Sequence, residues 1–172
     1  MGEMGASGSF YEVQYMAKEQ LIMAVVVWGI TIFSWAVFAV QIFLGIPVGN
    51  NPAPDYMVWL IMLSFGIVFP LVMFSLRLQT RVVDRELRYR FYPFHIKWKT
   101  IGFEEIKKVK STEYSGLKEF GGWGIRCNSR GRAYTVAGKY GVWITLKDGS
   151  EILIGSRRAG ELEKALFAGS SK

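Results

Sequence analysis

Residues able to do acid–base, nucleophilic or metal chemistry are few in this chain. Its one histidine, His95, has no second imidazole with which to share a transition metal, and a lone histidine on a strand more often packs or faces water than acts as a base. Its one cysteine, Cys127, excludes an internal disulfide. The neighbouring Arg126 and Arg130 favour a thiolate there, yet a redox or nucleophilic pair needs a second cysteine or a separate base. Asp84, Glu86, Glu104 and Glu105 supply carboxylates, but no spacing among them singles out an acid–base pair. Gly138-Lys139 fails the phosphate-loop pattern, with Ala133 where the first glycine belongs and Tyr140 where a Ser or Thr belongs. The expectation is a protein without catalytic residues, metal or cofactor.

Binding chemistry has more material. Phe120-Gly121-Gly122-Trp123-Gly124-Ile125-Arg126 sets three glycines around an aromatic residue, which opens backbone conformations closed to other side chains. Two readings stand. Backbone amides there, with Arg126, Arg130 and Arg132, can hold a phosphate or lipid head group. Alternatively Gly121, Gly122 and Gly124 only bend a strand while Trp123 fills the core. A second basic set, Arg88, Arg90, Lys97, Lys99, Lys107, Lys108 and Lys110, forms either a surface for anionic lipid or a solvated strand face. Lys97 and Lys99 join the three arginines as candidate anion contacts. Nucleic acid is not expected, because the aromatic residues alternate with the basic ones and so fall on the opposite strand face.

The elements that position these residues begin with two apolar runs. No ionisable side chain lies between Glu19 and Asp55, or between Asp55 and Arg77. Leu21–Ile46 and Tyr56–Leu76 are each long enough, at about 1.5 Å per residue, to cross a hydrocarbon core of about 30 Å as a helix. Pro70 is expected to kink the second. Neither run holds an acid, base or histidine of the kind that marks ion pathways, which argues against a pump or channel built by this chain alone. Small residues such as Gly29, Ser34, Ala36, Ala39, Ser64 and Gly66 allow close helix approach, but neither run contains a GxxxG pair. Tyr15, Trp28, Tyr56 and Trp59 fall where aromatic rings favour a membrane interface.

The organisation expected is an N-terminal segment over 1–20, a transmembrane helix hairpin over 21–76 with its Pro- and Gly-rich loop at 47–55, and a water-facing domain over 77–172. Residues 1–20 carry one basic and three acidic side chains, whereas 77–110 carry ten basic and four acidic ones, a net of +6. The loop has no Lys or Arg, so the positive-inside rule places both termini in the cytoplasm and the hairpin in the cell membrane. The opening MGEMGASGSF lacks the basic region of a signal peptide, and Glu3 argues against myristoylation of its Met-Gly.

After Arg77 the hydrophobic period becomes two. Leu87, Tyr89 and Phe91 alternate with Arg88, Arg90 and Tyr92, then Ile96 and Trp98 with His95, Lys97 and Lys99, as half-buried strands do. Pro93 separates these two strands as a turn. Another strand is expected over Ile106–Tyr114 with Val109 inward, and GVWITL and EILIG flank an Asp148-Gly149 hairpin turn. Leu162, Ala165 and Leu166 lie at helical spacing in a closing helix over 160–167.

About seven strands and one C-terminal helix, in this order, resemble the pleckstrin-homology-like domains attached to transmembrane helices in bacterial and archaeal proteins. FYEVQY, IPVGNNPAP, FGGWGIR, AYTVAGKYGV and LKDGSEILIGS further resemble an uncharacterised family of two-span membrane proteins with such a domain. The resemblance implies a bent antiparallel barrel closed by the final helix, and no assigned activity. The function expected is a non-enzymatic membrane protein whose domain is an interaction or scaffolding module. It would serve as an accessory subunit with a protein partner or a second copy. Anionic lipid head-group binding is the alternative, and an enzyme of unknown type the third reading.

Overall fold

A computed structural model describes residues 9–16 and 20–168. The Met-Gly opening, Glu3, Lys18 and Glu19 lie outside the described residues. The chain divides into a strand-rich unit and a helical unit, the latter spanning Gln20–Ser75.

In the helical unit, α1 (Leu21–Phe43) and α2 (Asp55–Ser75) are the two apolar helices, each long and apolar enough to cross a membrane. They pack through Val27, Thr31, Ser34 and Phe38 of α1, spaced four, three and four apart, and Val58, Met62 and Gly66 of α2, spaced four apart. Such spacing places each set on one helix face. Thr31 and Ser34 return their hydroxyls to the carbonyls of Val27 and Ile30, at 2.9 and 2.8 Å, so neither is left unsatisfied. Gln41, the one strongly polar side chain of its run, ties down the connecting loop by donating to Ala53 O at 2.6 Å and Asp55 Oδ1 at 3.1 Å.

Pro70 leaves the carbonyl of Gly66, four residues earlier, without its helical donor. A wide π-type turn over Met62–Val68 precedes the proline, and the Trp35 indole N–H of α1 donates to Gly66 O at 3.2 Å. The neighbouring helix thus supplies the bond that the proline removes. The space beside Gly66 is taken by the same indole, 3.2 Å from where a Cβ would stand.

The strand-rich unit is α+β with nine strands in two sheets, where about seven were expected, and no closed barrel forms among the described residues. One sheet has the order β1-β2-β3-β4, from Phe10–Tyr15, Arg77–Val83, Glu86–Tyr92 and Lys99–Gly102. The other has the order β5-β8-β9-β7-β6, from Ile106–Glu113, Tyr140–Leu146, Glu151–Gly155, Arg132–Thr135 and Gly124–Cys127. β7 and β9 run parallel, so the sheet is not purely antiparallel. α3 (Gly116–Phe120) and α4 (Ala159–Ala168) complete the unit.

Burial explains this arrangement. The second sheet turns Tyr134, Val142, Ile144 and Ile154 to one face and Ala133, Trp143 and Leu153 to the other, all buried. Tyr114 and Phe120 cover the latter face. On the former, Tyr134 meets Tyr89 of β3 with ring centroids 4.9 Å apart, joining the sheets, while α4 buries Leu162 and Leu166 against β5, β8, β1 and β2. The β8–β9 hairpin forms where the Asp-Gly pair predicts it, but Gly149 alone has a positive φ, of 87°. Asp148 instead caps the turn, its Oδ1 accepting from the Ser150 amide at 2.8 Å.

The residues ahead of α1 are part of this unit. β1 pairs with β2 along its whole length, and Glu12 turns inward, 7% exposed. Its carboxylate accepts from Ser156 Oγ at 2.5 Å and from the Arg157 amide at 3.1 Å, while Gln14 Nε2 donates to Gly155 O at 2.9 Å. These bonds fasten the start of the described chain to the segment leading into α4. The strand expected through His95–Lys99 is instead a turn and bend, with β4 starting only at Lys99 and Ile96 exposed where an inward position was expected.

A candidate anion-binding face of arginines and aromatics

The outer face of the four-stranded sheet collects the positive charge that follows α2. On β2 and β3, Leu78, Thr80, Val82, Leu87, Tyr89 and Phe91 are buried, so the alternate residues Arg77, Arg81, Arg88, Arg90 and Tyr92 turn outward. The register sets Arg77 between Tyr15 and Tyr92, Gln79 opposite Arg90, and Arg81 opposite Arg88. Like charges directly opposite on paired strands are destabilising unless something offsets them.

Aromatic rings hold the guanidinium groups. Arg77 lies 4.8 Å from the Tyr92 ring centroid and 5.8 Å from that of Tyr15. Trp98 takes Arg81 at 4.4 Å and Arg90 at 4.6 Å. A guanidinium resting on a ring is favoured by the ring's negative face and still offers its N–H edge to an oxyanion. Arg88 donates to Glu86 at 2.7 Å, whereas Arg90 is held by neutral acceptors, Gln79 Oε1 and Ile96 O. Among the described residues no carboxylate pairs with Arg77, Arg81 or Arg90, and the Nε–H groups of Arg77 and Arg81 are buried without a protein acceptor. Among the described residues the face carries four arginines against one glutamate, and guanidinium N–H groups of this kind can donate to phosphate or carboxylate oxygens.

A family model of unknown function, DUF6141, matches residues 2–171. The chain belongs to DUF6141. No curated protein matches it.

In this DUF6141 chain the arginines singled out from the sequence do not converge. Arg126 lies opposite Ala133 and Cys127 opposite Arg132 on β6 and β7, so the side chains of Arg126 and Arg132 leave opposite faces of that hairpin. Arg130 is committed elsewhere, paired with Glu151 and resting 4.1 Å from the Trp143 ring centroid. The amides of Arg130 and Gly131, which an anion would need, donate to Asn128 Oδ1 at 2.9 and 3.0 Å. Gly121, Gly122 and Gly124 have φ of 65°, 133° and 111°, the left-handed conformations that glycine permits. Trp123 is half-buried, donating to Gly138 O at 3.3 Å and packed against Gly116, whose Cβ position would lie 2.9 Å from its Nε1.

The lysines separate as well. Lys97 is exposed, while Lys107, Lys108 and Lys110 belong to β5 in the other sheet. Lys99 points inward and donates to Tyr134 Oη at 3.0 Å, beside His95 and Tyr89. Burial, then the nearby Lys99 charge, lowers the His95 pKa, and burial, then the adjoining Tyr134, raises that of Tyr89. Aromatic and basic side chains therefore do share a face, contrary to the argument from alternation. The residues that reasoning missed are Trp98 and Tyr92 as platforms and Arg77 and Arg81 as donors. The available signal was the dense Arg77, Arg81, Arg85, Arg88, Arg90 series, whose four-residue spacing at its start matches one strand face.

Proposed function

We propose that this DUF6141 chain is a non-enzymatic, two-span protein of the cell membrane, with both termini in the cytoplasm, whose strand-rich unit binds anionic phosphate head groups through the Arg77, Arg81 and Arg90 face. One observation carries the reading: these guanidinium groups rest on Tyr15, Tyr92 and Trp98, and no carboxylate pairs with them among the described residues. Arg77 follows the last residue of α2 by two positions, which suits a surface near lipid head groups once α2 is a span. The charge asymmetry of loop and flank supports the orientation. A pleckstrin-homology-like relationship, without the closed barrel, remains part of this reading through the two sheets followed by a C-terminal helix.

The test uses the purified full chain in neutral detergent, titrated calorimetrically with a soluble phosphoinositol head group. Binding is expected to weaken with salt, and R77A/R81A to weaken it by about tenfold or more. Binding insensitive to both would refute the face as the site. The scaffolding reading, in which the strand-rich unit docks a protein partner or second copy, is favoured by the exposed Tyr11 side chain on β1, an edge strand of its sheet. Co-purification from native membranes tests it, and a lone monomer under all mild detergents would count against it.

A further inference from the structure

One end of the strand-rich unit holds an unassigned cleft of about 310 Å³, lined by Met16, Leu76, Phe91, Phe94, Trp123, Gly124, Ile125 and Arg126. Its size is at the lower limit for small-molecule sites, roughly 300–1,000 Å³. Its walls are apolar apart from Arg126. That arginine is exposed, and no carboxylate pairs with it among the described residues. Phe94 is 65% exposed at the cleft and Ile96, in the same loop, is 77% exposed. Covering such apolar surface is favourable, at about 25 cal/mol per Å² removed from water.

Chain connectivity says which end this is. Antiparallel register brings Tyr15, Arg77 and Tyr92 level with one another, and the Met16 amide donates to Leu76 O at 3.0 Å. Met16 and Leu76 are the residues from which the chain runs toward α1 and arrives from α2. Along the chain, two of the cleft's lining residues are thus only a few positions from the apolar helices.

We propose that this cleft takes part of an acyl chain of an anionic phospholipid, drawn from the adjoining leaflet, with the lipid phosphate on Arg126. The occupant follows from the lining: an apolar slot suits a hydrocarbon chain, and a single unpaired guanidinium at its mouth suits one oxyanion. The site is separate from the outer arginine face and rests only on the reading of α1 and α2 as membrane spans.

The experiment reconstitutes the full chain in nanodiscs containing trace phosphatidylglycerol or phosphatidylcholine with a diazirine in the acyl chain. Labelled peptides are mapped by mass spectrometry after photolysis. The anionic probe is expected to label Phe91–Phe94 and Trp123–Arg126 as well as α1 and α2, at about ten times the yield of the neutral probe in the cleft. R126A should abolish that preference, and I125W should fill the slot and remove the label. Labelling of the helices with none in the cleft overturns the proposal while leaving the spans intact. Equal yields from both probes, or a preference untouched by R126A, overturn the anionic assignment. Absence of label from the helices removes the membrane reading and the proposal with it.

Discussion

Glu12 is the residue whose role is least visible in its neighbours along the chain. A buried carboxylate that accepts from Ser156 Oγ and the Arg157 amide leaves both donors stranded when it is removed. Glu12→Ala is therefore expected to destabilise the chain by about 2–3 kcal/mol, read as a fall of several degrees in the melting temperature in detergent. Tyr114 offers a pH test. A tyrosine in the unfolded chain ionises near 10, and burial pushes Tyr114 up to about 12. Between those values the unfolded state releases the proton and the folded state keeps it. Stability is therefore full below pH 10 and falls as pH rises, by about 1.4 kcal/mol per unit from this group. Tyr114→Phe should lose less stability than the parent between pH 9 and pH 11.5 in denaturant titrations. Glu151 acts at the other end: the hydrogen bond from Arg130 holds its carboxyl below the usual range, so this pair's contribution is present above that range and is lost as pH falls below it, through the lowered folded value.

At the scale of elements, sequence and structure agree where one physical signal dominates. β3 alternates as Leu87, Tyr89 and Phe91 predict, β5 buries Val109 between exposed lysines, and Leu162 and Leu166 place α4. They part where two signals compete. β1 buries Phe10, Glu12 and Gln14 and turns Tyr11, Val13 and Tyr15 outward, so hydrophobicity alone selects the wrong face. Trp98 is large and apolar but packs against two guanidinium groups instead of entering the core. The β2–β3 turn escapes notice because Asp84 and Arg85 take positive φ, 55° and 60°, without glycine to announce it. The helical hairpin supplies a test of its own. Trp35→Phe leaves Gly66 O unsatisfied and should cost about 1 kcal/mol, and Pro70→Ala restores a backbone donor that removes most of that cost. A double-mutant cycle on hairpin unfolding in detergent measures the coupling, and strictly additive effects would contradict the role given to the indole.

For the whole molecule, the absence of charge over two runs made both helices legible, and the clustering of arginine after the second made a basic surface legible. The convergence of side chains into a face was not legible, because it depends on strand register. Arg77 and Tyr15 are neighbours only because β1 and β2 pair across the intervening helical unit, a contact no local pattern announces. The functional account requires that α1 and α2 lie in a bilayer, since head groups and acyl chains are its ligands. Washing membranes that contain the full chain with alkaline carbonate tests this most directly. The chain is expected to stay in the pellet and to enter solution only with detergent; its release into the carbonate supernatant would contradict the account.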